Sequence, residues 1–93
     1  VMVMARTLPN VTSWGVWWYL LQENIMDDVT AMGMDMFHSA KRWPFNSDAR
    51  VLEHLIGKWD DWRRVYGRHL TNHFVALRDA GWQVTEEQIA AHI

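Results

Sequence analysis

Apolar residues recur at Trp14, Trp18, Leu21, Ile25, Val29, Met32 and Met36, in steps of three and four. That spacing puts them on one face of a helix. Thr12 or Ser13 just before the pattern offers a side-chain oxygen to orphan backbone N–H groups, as a helix N-cap does. Pro44 disfavours helical backbone at Trp43, so this first helix is expected to end near Lys41 or Arg42.

A second pattern follows Asn46-Ser47-Asp48, the next candidate cap. It runs Leu52, Leu55, Trp59, Trp62, Tyr66, His69 and His73. A neighbouring set, Tyr66, Leu70, Phe74 and Leu77, takes over near its end. Gly57 and Gly67 each cost about 1 kcal/mol against alanine inside a helix. Gly67 falls where the apolar face changes, a place that suits a bend or break. Without one, a helix from Asp48 to Ala80 reaches about 50 Å, and the subunit is elongated and clasps a partner.

Gly81 suits the left-handed position that closes a helix, with Trp82 following where a hydrophobic contact is common. Val84-Thr85-Glu86-Glu87-Gln88-Ile89 then combines two signals: Thr85 and Gln88 have capping-box spacing, and Val84 and Ile89 have staple spacing. A short third helix is therefore expected from Glu86. Being barely two turns long, it must pack on something. Residues 1–12 read as an extended arm, with a turn at Leu8-Pro9-Asn10. No strand is expected. The pattern predicts a single all-α domain over 1–93: an elongated helical subunit with two long helices, a short C-terminal helix and an extended N-terminal arm.

Composition changes this picture in one respect. Seven tryptophans stand among 93 residues, with no cysteine. A domain this small buries a modest share of its surface, and each dry indole needs a partner for its N–H. Some of this aromatic surface is expected to meet another protein, since tryptophan concentrates at the energetic centres of interfaces. Trp14 and Trp18 share the first stripe and suit an internal core. Trp17 lies off that stripe and is the better candidate for an intermolecular contact, with Trp59 and Trp62 as further interface or pocket candidates. Met32 and Met36 are expected in the core.

Net charge is −2, and Arg63, Arg64 and Arg68 are interleaved with Asp60 and Asp61. That is a mixed, solvated face rather than a phosphate track. No stretch approaches 18 consecutive apolar residues, so no membrane span is expected. The first residues lack a basic leader before an apolar run. Having no cysteine excludes disulfides, thiolate metal ligands and cysteine nucleophiles from this chain, and points to the cytoplasm.

His69 and His73 are four apart and share a helix face, a geometry zinc sites use. Leu70 stands where a zincin has glutamate, so two interfacial or half-buried histidines are the simpler reading. Asp35 and His38 are spaced to share a hydrogen bond. Asp27-Asp28 and Asp60-Asp61 read as solvated charge. No phosphate loop and no Ser-His-Asp pattern is present.

From Arg50 to Ile93 the chain resembles the helical N-terminal portion of the beta subunit of nitrile hydratase. The residues that carry the likeness are Arg50, Glu53-His54-Leu55, Val65-Tyr66-Gly67-Arg68-His69-Leu70, Phe74-Val75-Ala76-Leu77, Gly81 and Val84-Thr85-Glu86-Glu87-Gln88-Ile89. The spacing runs without a gap from Leu55 to Gly81. The chain is similar to a beta subunit split into separate polypeptides. The resemblance implies hydration of a nitrile to an amide by an assembly with a metal-bearing alpha subunit and a second beta-type small subunit. It implies cobalt or iron held by a Cys-rich motif on alpha, where the ion acts as a Lewis acid, and no cofactor on this chain. It implies an arginine reaching the oxidised cysteine ligands across the interface, a fit of guanidinium to paired oxyanions. Arg50 matches that position. A rival alignment through Phe37-His38-Ser39 and Arg42 puts Phe37 at the key arginine, so the choice between Arg50 and Arg42 stays open. The family's pocket-lining tyrosine pair is reduced to Tyr66, with Val65 in the other place and His69 at the aromatic position. The residue pattern alone places Tyr66 equally well on the apolar stripe of Trp59 and Trp62. A different class of function fits the same chain: a small helical protein-interaction module, regulatory or phage-type, without enzymatic activity and able to self-associate.

Overall fold

The computed structural model describes residues 2–16, 21–36, 42–46 and 48–92; Trp17, Trp18, Phe37, His38, Ser39 and Lys41 lie outside them. The elements are α1 (Met2–Thr7), β1 (Ser13–Val16), α2 (Glu23–Met36), β2 (Arg42–Phe45), α3 (Leu52–Asp79) and α4 (Glu86–His92). Helix dominates, with α2 and α3 long and α4 short, as the all-α pattern predicts.

Three local expectations are corrected. The N-terminal arm is not extended throughout, because Met2–Thr7 is helical. Six residues do not sustain a helix alone, but Ala5 is fully buried and α1 packs on α2. The first long helix begins at Glu23 rather than Ser13. Ser13–Val16 instead pairs in parallel with Arg42–Phe45, in the register Ser13↔Arg42, Trp14↔Trp43 and Val16↔Phe45. Parallel strands need a crossover, and α2 supplies it. Both strands of a two-stranded ribbon are edges, where Pro44 is tolerated. Helical spacing was thus overridden by strand pairing between two segments that each carry a tryptophan, Trp14 and Trp43, a residue type that favours strands.

The third correction concerns which residues α2 buries. Its inward face carries Met26, Thr30 and Gly33, with Val29 packed beside Met26. Met32 is half exposed and is not core. The stripe is rotated by about one position from the one expected.

α3 runs unbroken through Gly67. At about 100° per residue its two apolar stripes lie on different sides of one straight helix. Leu55, Trp59, Trp62, Tyr66, His69 and His73 are half-buried on one side, around fully buried Val65. On the other side, Leu70, Phe74 and Val75 share a groove with Val84 and Ile89. The change of face at Gly67 therefore marks two packing partners, not a bend. Twenty-eight residues make a rod of about 42 Å, which accounts for the 44 Å long axis of the molecule. The radius of gyration is 14.2 Å, against about 12 Å for a compact chain of this length. The molecule is elongated because α3 is.

The α3 N-cap is Val51, with no side-chain cap bond. The expected cap forms a turn upstream, where the Asp48 N–H donates to Asn46 Oδ1 at 3.2 Å. The other end follows the expectation. Gly81 has φ +91°, its N–H donates to the Arg78 carbonyl at 2.9 Å, and the Trp82 N–H donates to the Leu77 carbonyl at 3.1 Å. This pair of bonds is the Schellman closure, and it favours glycine because other residues strain at that φ. The capping box also forms: the Gln88 N–H donates to Thr85 Oγ1 at 3.2 Å, and the Thr85 N–H donates to Gln88 Oε1 at 3.0 Å.

Met26, Phe45 and Val65 form the buried cluster, with Leu21, Val29, Trp59 and Trp62 packed around it. Met26→Ala removes a side chain that is 1 % exposed and is expected to cost about 2–5 kcal/mol. Ile56→Ala, at a side chain that is 71 % exposed, should stay within about 0.5 kcal/mol. Equilibrium urea unfolding of the two variants measures both values. Equal losses would contradict this core.

Candidate functional site

The densest chemistry lies where α3 meets α2 and β2. Phe45 closes β2 and is inserted between two tryptophans of α3. Its ring meets Trp59 edge-on at 4.7 Å and stacks on Trp62 at 5.3 Å. Trp62 stacks in turn on Tyr66 at 4.8 Å, and Trp59 meets Trp62 edge-on at 5.5 Å. The i, i+3, i+7 spacing of Trp59, Trp62 and Tyr66 puts them in one column on the helix. Offset and edge-to-face pairs of this kind add about 0.5–1.5 kcal/mol each beyond burial. Arg63 caps the outer side of the column, with its guanidinium carbon 5.9 Å from the Trp59 ring centre. The Trp62 Nε1 donor is buried without a hydrogen-bond partner.

Polar side chains continue the contact beyond Tyr66. Asp27 of α2 accepts hydrogen bonds from Arg68 Nη2 and, at 2.6 Å, from His69 Nε2. One turn earlier, Arg64 donates to Glu23 at 3.0 Å and to Asp61 at 2.8 Å. Asp27 and Arg68 stand 41 residues apart in the chain, and these bonds set the axial register of α2 on α3. Hydrogen bonding to Arg68 and then His69 holds the Asp27 carboxyl below its ordinary range. The Asp61 hydrogen bond, followed by the charge of Glu23, raises the Arg64 guanidinium above its own.

The structure gathers Trp59, Trp62, Tyr66 and His69 on one side of α3. Arg50 is exposed and lies outside this group, before the helix begins. Tyr66 is fourteen residues beyond Leu52, about 21 Å along the axis. Arg50 and Tyr66 therefore do not form one small catalytic centre within a single copy of this chain. Trp17 lies outside the described residues, and Arg42 is described as strand backbone only. Val65, at the position of the second family tyrosine, is fully buried against Met26 and Phe45. A side chain there faces the protein's own core.

Asp27 is the residue that sequence reasoning missed, because it reads locally as solvated charge. The usable signal was non-local: an acidic residue on one long helix facing an arginine and a histidine on the other. Among the described residues, no group of three His, Cys, Asp or Glu side chains is placed to hold a metal ion. Likewise, no helix among them is long and apolar enough to cross a membrane. No family model, curated protein or solved structure matches the chain.

Asp27 gives stability a defined pH dependence. Its carboxyl titrates lower in the folded chain than at the ordinary value of 3.8. Its contribution is therefore complete above that value and is lost as pH falls through the lowered folded value. Acid unfolding followed by circular dichroism should show this limb in the wild type and a flatter one in Asp27→Asn. Superimposable acid limbs would contradict the clamp. Trp62→Phe removes the unpartnered indole N–H and keeps the ring stack. Because a buried, unmade donor costs about 1–3 kcal/mol, this variant is expected to fall within about 1 kcal/mol of wild type despite the lost ring volume. Thermal melts of the two proteins decide the point.

Proposed function

We propose that this chain is a non-metal-bearing, beta-type subunit of a cytoplasmic nitrile hydratase. It works in a complex with a metal-bearing alpha subunit and a second small beta-type subunit. What supports the reading is the order of helical elements after Arg50. The gap-free run from Leu55 to Gly81 lies on one unbroken helix, which a glycine closes. A Thr85–Gln88 capping box then opens the next helix, in the order the family pattern has. Within that family the chain most resembles the small subunit of the three-part toyocamycin nitrile hydratase, an enzyme of antibiotic biosynthesis.

The cobalt or iron that the family uses does not fit this chain's own residues. The sequence holds no cysteine, and the described residues assemble no alternative ligand group. In this reading the chain contributes surface. Arg50 is free of the buried cluster and sits in the exposed turn before α3, where it can donate to an acceptor on a neighbouring subunit. The Trp59–Trp62–Tyr66 column with His69 forms a rigid wall whose aromatic faces and phenol would line a pocket completed by alpha. Rigidity matters in that role, because a substrate wall held by stacking is preorganised.

The alternative, an interaction module without enzymatic activity, draws on a different observation. The large side chains of Val51, Leu52, Ile56 and Trp82 are all about half exposed or more, which suits a docking surface of any kind.

Co-purification from the native host separates the two. The hydratase reading expects a companion polypeptide with a Cys-x-x-Cys-Ser-Cys motif and bound cobalt or iron. The purified complex should convert a nitrile to its amide, while this chain alone does not. Within the complex, Arg50→Ala should lower turnover without dissolving the assembly. Recovery of the chain with no metal-bearing companion, or of a complex inert toward small and nucleoside-sized nitriles, would overturn it.

A further inference from the structure

A groove of about 430 Å³ separates the C-terminal half of α3 from α4. Leu70, Phe74, Val84 and Ile89 make it apolar, Gly67 stands toward one end, and Arg78 is the only ionisable residue that lines it. Its size is that of a binding pocket rather than a packing defect.

Nothing among the described residues requires glycine at position 67. It sits in the middle of a 28-residue helix, where alanine would be better by about 1 kcal/mol. A Cβ added there would meet nothing within 4 Å, and its φ is not in the left-handed region. A helix position that omits its side chain beside an open apolar groove fits close approach by another molecule.

The chain itself carries a fitting occupant. Trp82 follows the glycine that ends α3 and is 68 % exposed. Charge is complementary as well: α4 opens with Glu86 and Glu87, and neither forms an ion pair among the described residues, whereas the groove offers Arg78, held only by a long, exposed 3.7 Å contact to its neighbour Asp79.

We propose that this groove is a homodimer interface, occupied by Trp82 of a second copy of the chain. Gly67 lies seven residues before Phe74, about 10 Å along the helix, and Trp82 lies past the other end of α3, in the turn that its N–H closes onto the Leu77 carbonyl. A twofold axis near Phe74 sets the C-terminal halves of the two α3 helices antiparallel. Each Trp82 ring then lies over the other copy's Gly67, and each pair of glutamates on α4 approaches the other copy's Arg78. An isologous contact requires this reciprocity, in which residue i meets j and j meets i. The flat indole needs the space a missing Cβ leaves, so one dimer accounts for both Gly67 and the exposed Trp82. The inference does not rest on the hydratase reading.

Sedimentation velocity of the purified full-length chain over a wide concentration range tests it. The wild type should show a concentration-dependent monomer–dimer equilibrium. Trp82→Ala should weaken the dimer by about tenfold or more in Kd, a loss that truncating a central interface tryptophan commonly brings. Gly67→Ala is the sharper variant, because its two effects have opposite signs: the monomer melts at higher temperature, and the dimer is weakened. A wild type that stays monomeric throughout would overturn the proposal and leave the groove to a different partner. So would a dimer that both substitutions leave unchanged.

Discussion

Everything in this molecule depends on one long helix having two apolar sides. α3 cannot bury both against itself, and 28 residues of helix are too long to be enclosed by a chain of 93. Val65 and the aromatic column demand α2 and β2 on one side. On the other, Leu70 and Phe74 line a groove whose far wall is Val84 and Ile89. The remaining elements follow from these needs: α2 must return along α3, β1 and β2 tie its ends together, and the Gly81 turn must send α4 back rather than onward. Neither covering helix would be stable alone, since α4 has seven residues and α2 fourteen, both within the range where isolated helices are marginal in water. The short helices need tertiary contacts to persist: α2 docks on α3, and α1 docks on α2.

Helix α3 and the C-terminal turn were legible in the sequence because their determinants are local. Gly81 as a left-handed cap, Thr85 with Gln88, and the spacing from Leu55 through His73 each act over a few residues, and each appears in the structure as expected. The segment from Ser13 to Val16 was not legible for the opposite reason. Its residues suit a helix by spacing, but a strand partner about thirty positions away competes for the same backbone bonds. Periodicity cannot weigh a pairing whose other half lies beyond the window. The one-position rotation of α2 has the same origin. The residue that turns α2 is Asp27, and its partners Arg68 and His69 belong to another helix.

Of the candidate site, the common face of four α3 side chains was legible, but not the residues packed against them. Trp59, Trp62, Tyr66 and His69 share a face, as three- and four-residue steps require. Phe45, which fits between the tryptophans, carried no signal, because a single phenylalanine after Pro44 looks like the end of a turn. Arg50 is separated from Tyr66 by most of the forward half of α3, a distance that follows from helix rise once the helix is known to be unbroken. The sequence left that continuity open, because glycine at position 67 is compatible with either outcome.

Glycine at that position also links folding to association. Within one copy, Gly67 weakens the helix on which α2 docks. Among the described residues few side chains are fully buried, and marginal domains respond steeply to losses of about 1 kcal/mol. Such a residue is tolerable where bound surface restores the deficit, because anything that binds only the folded state stabilises it by mass action. The exposed Trp82, the apolar groove and the half-exposed start of α3 are then parts of one arrangement. The single copy is held together by the α2–α3 contact, and in the proposed dimer the remaining apolar surface would contribute to stability only on association.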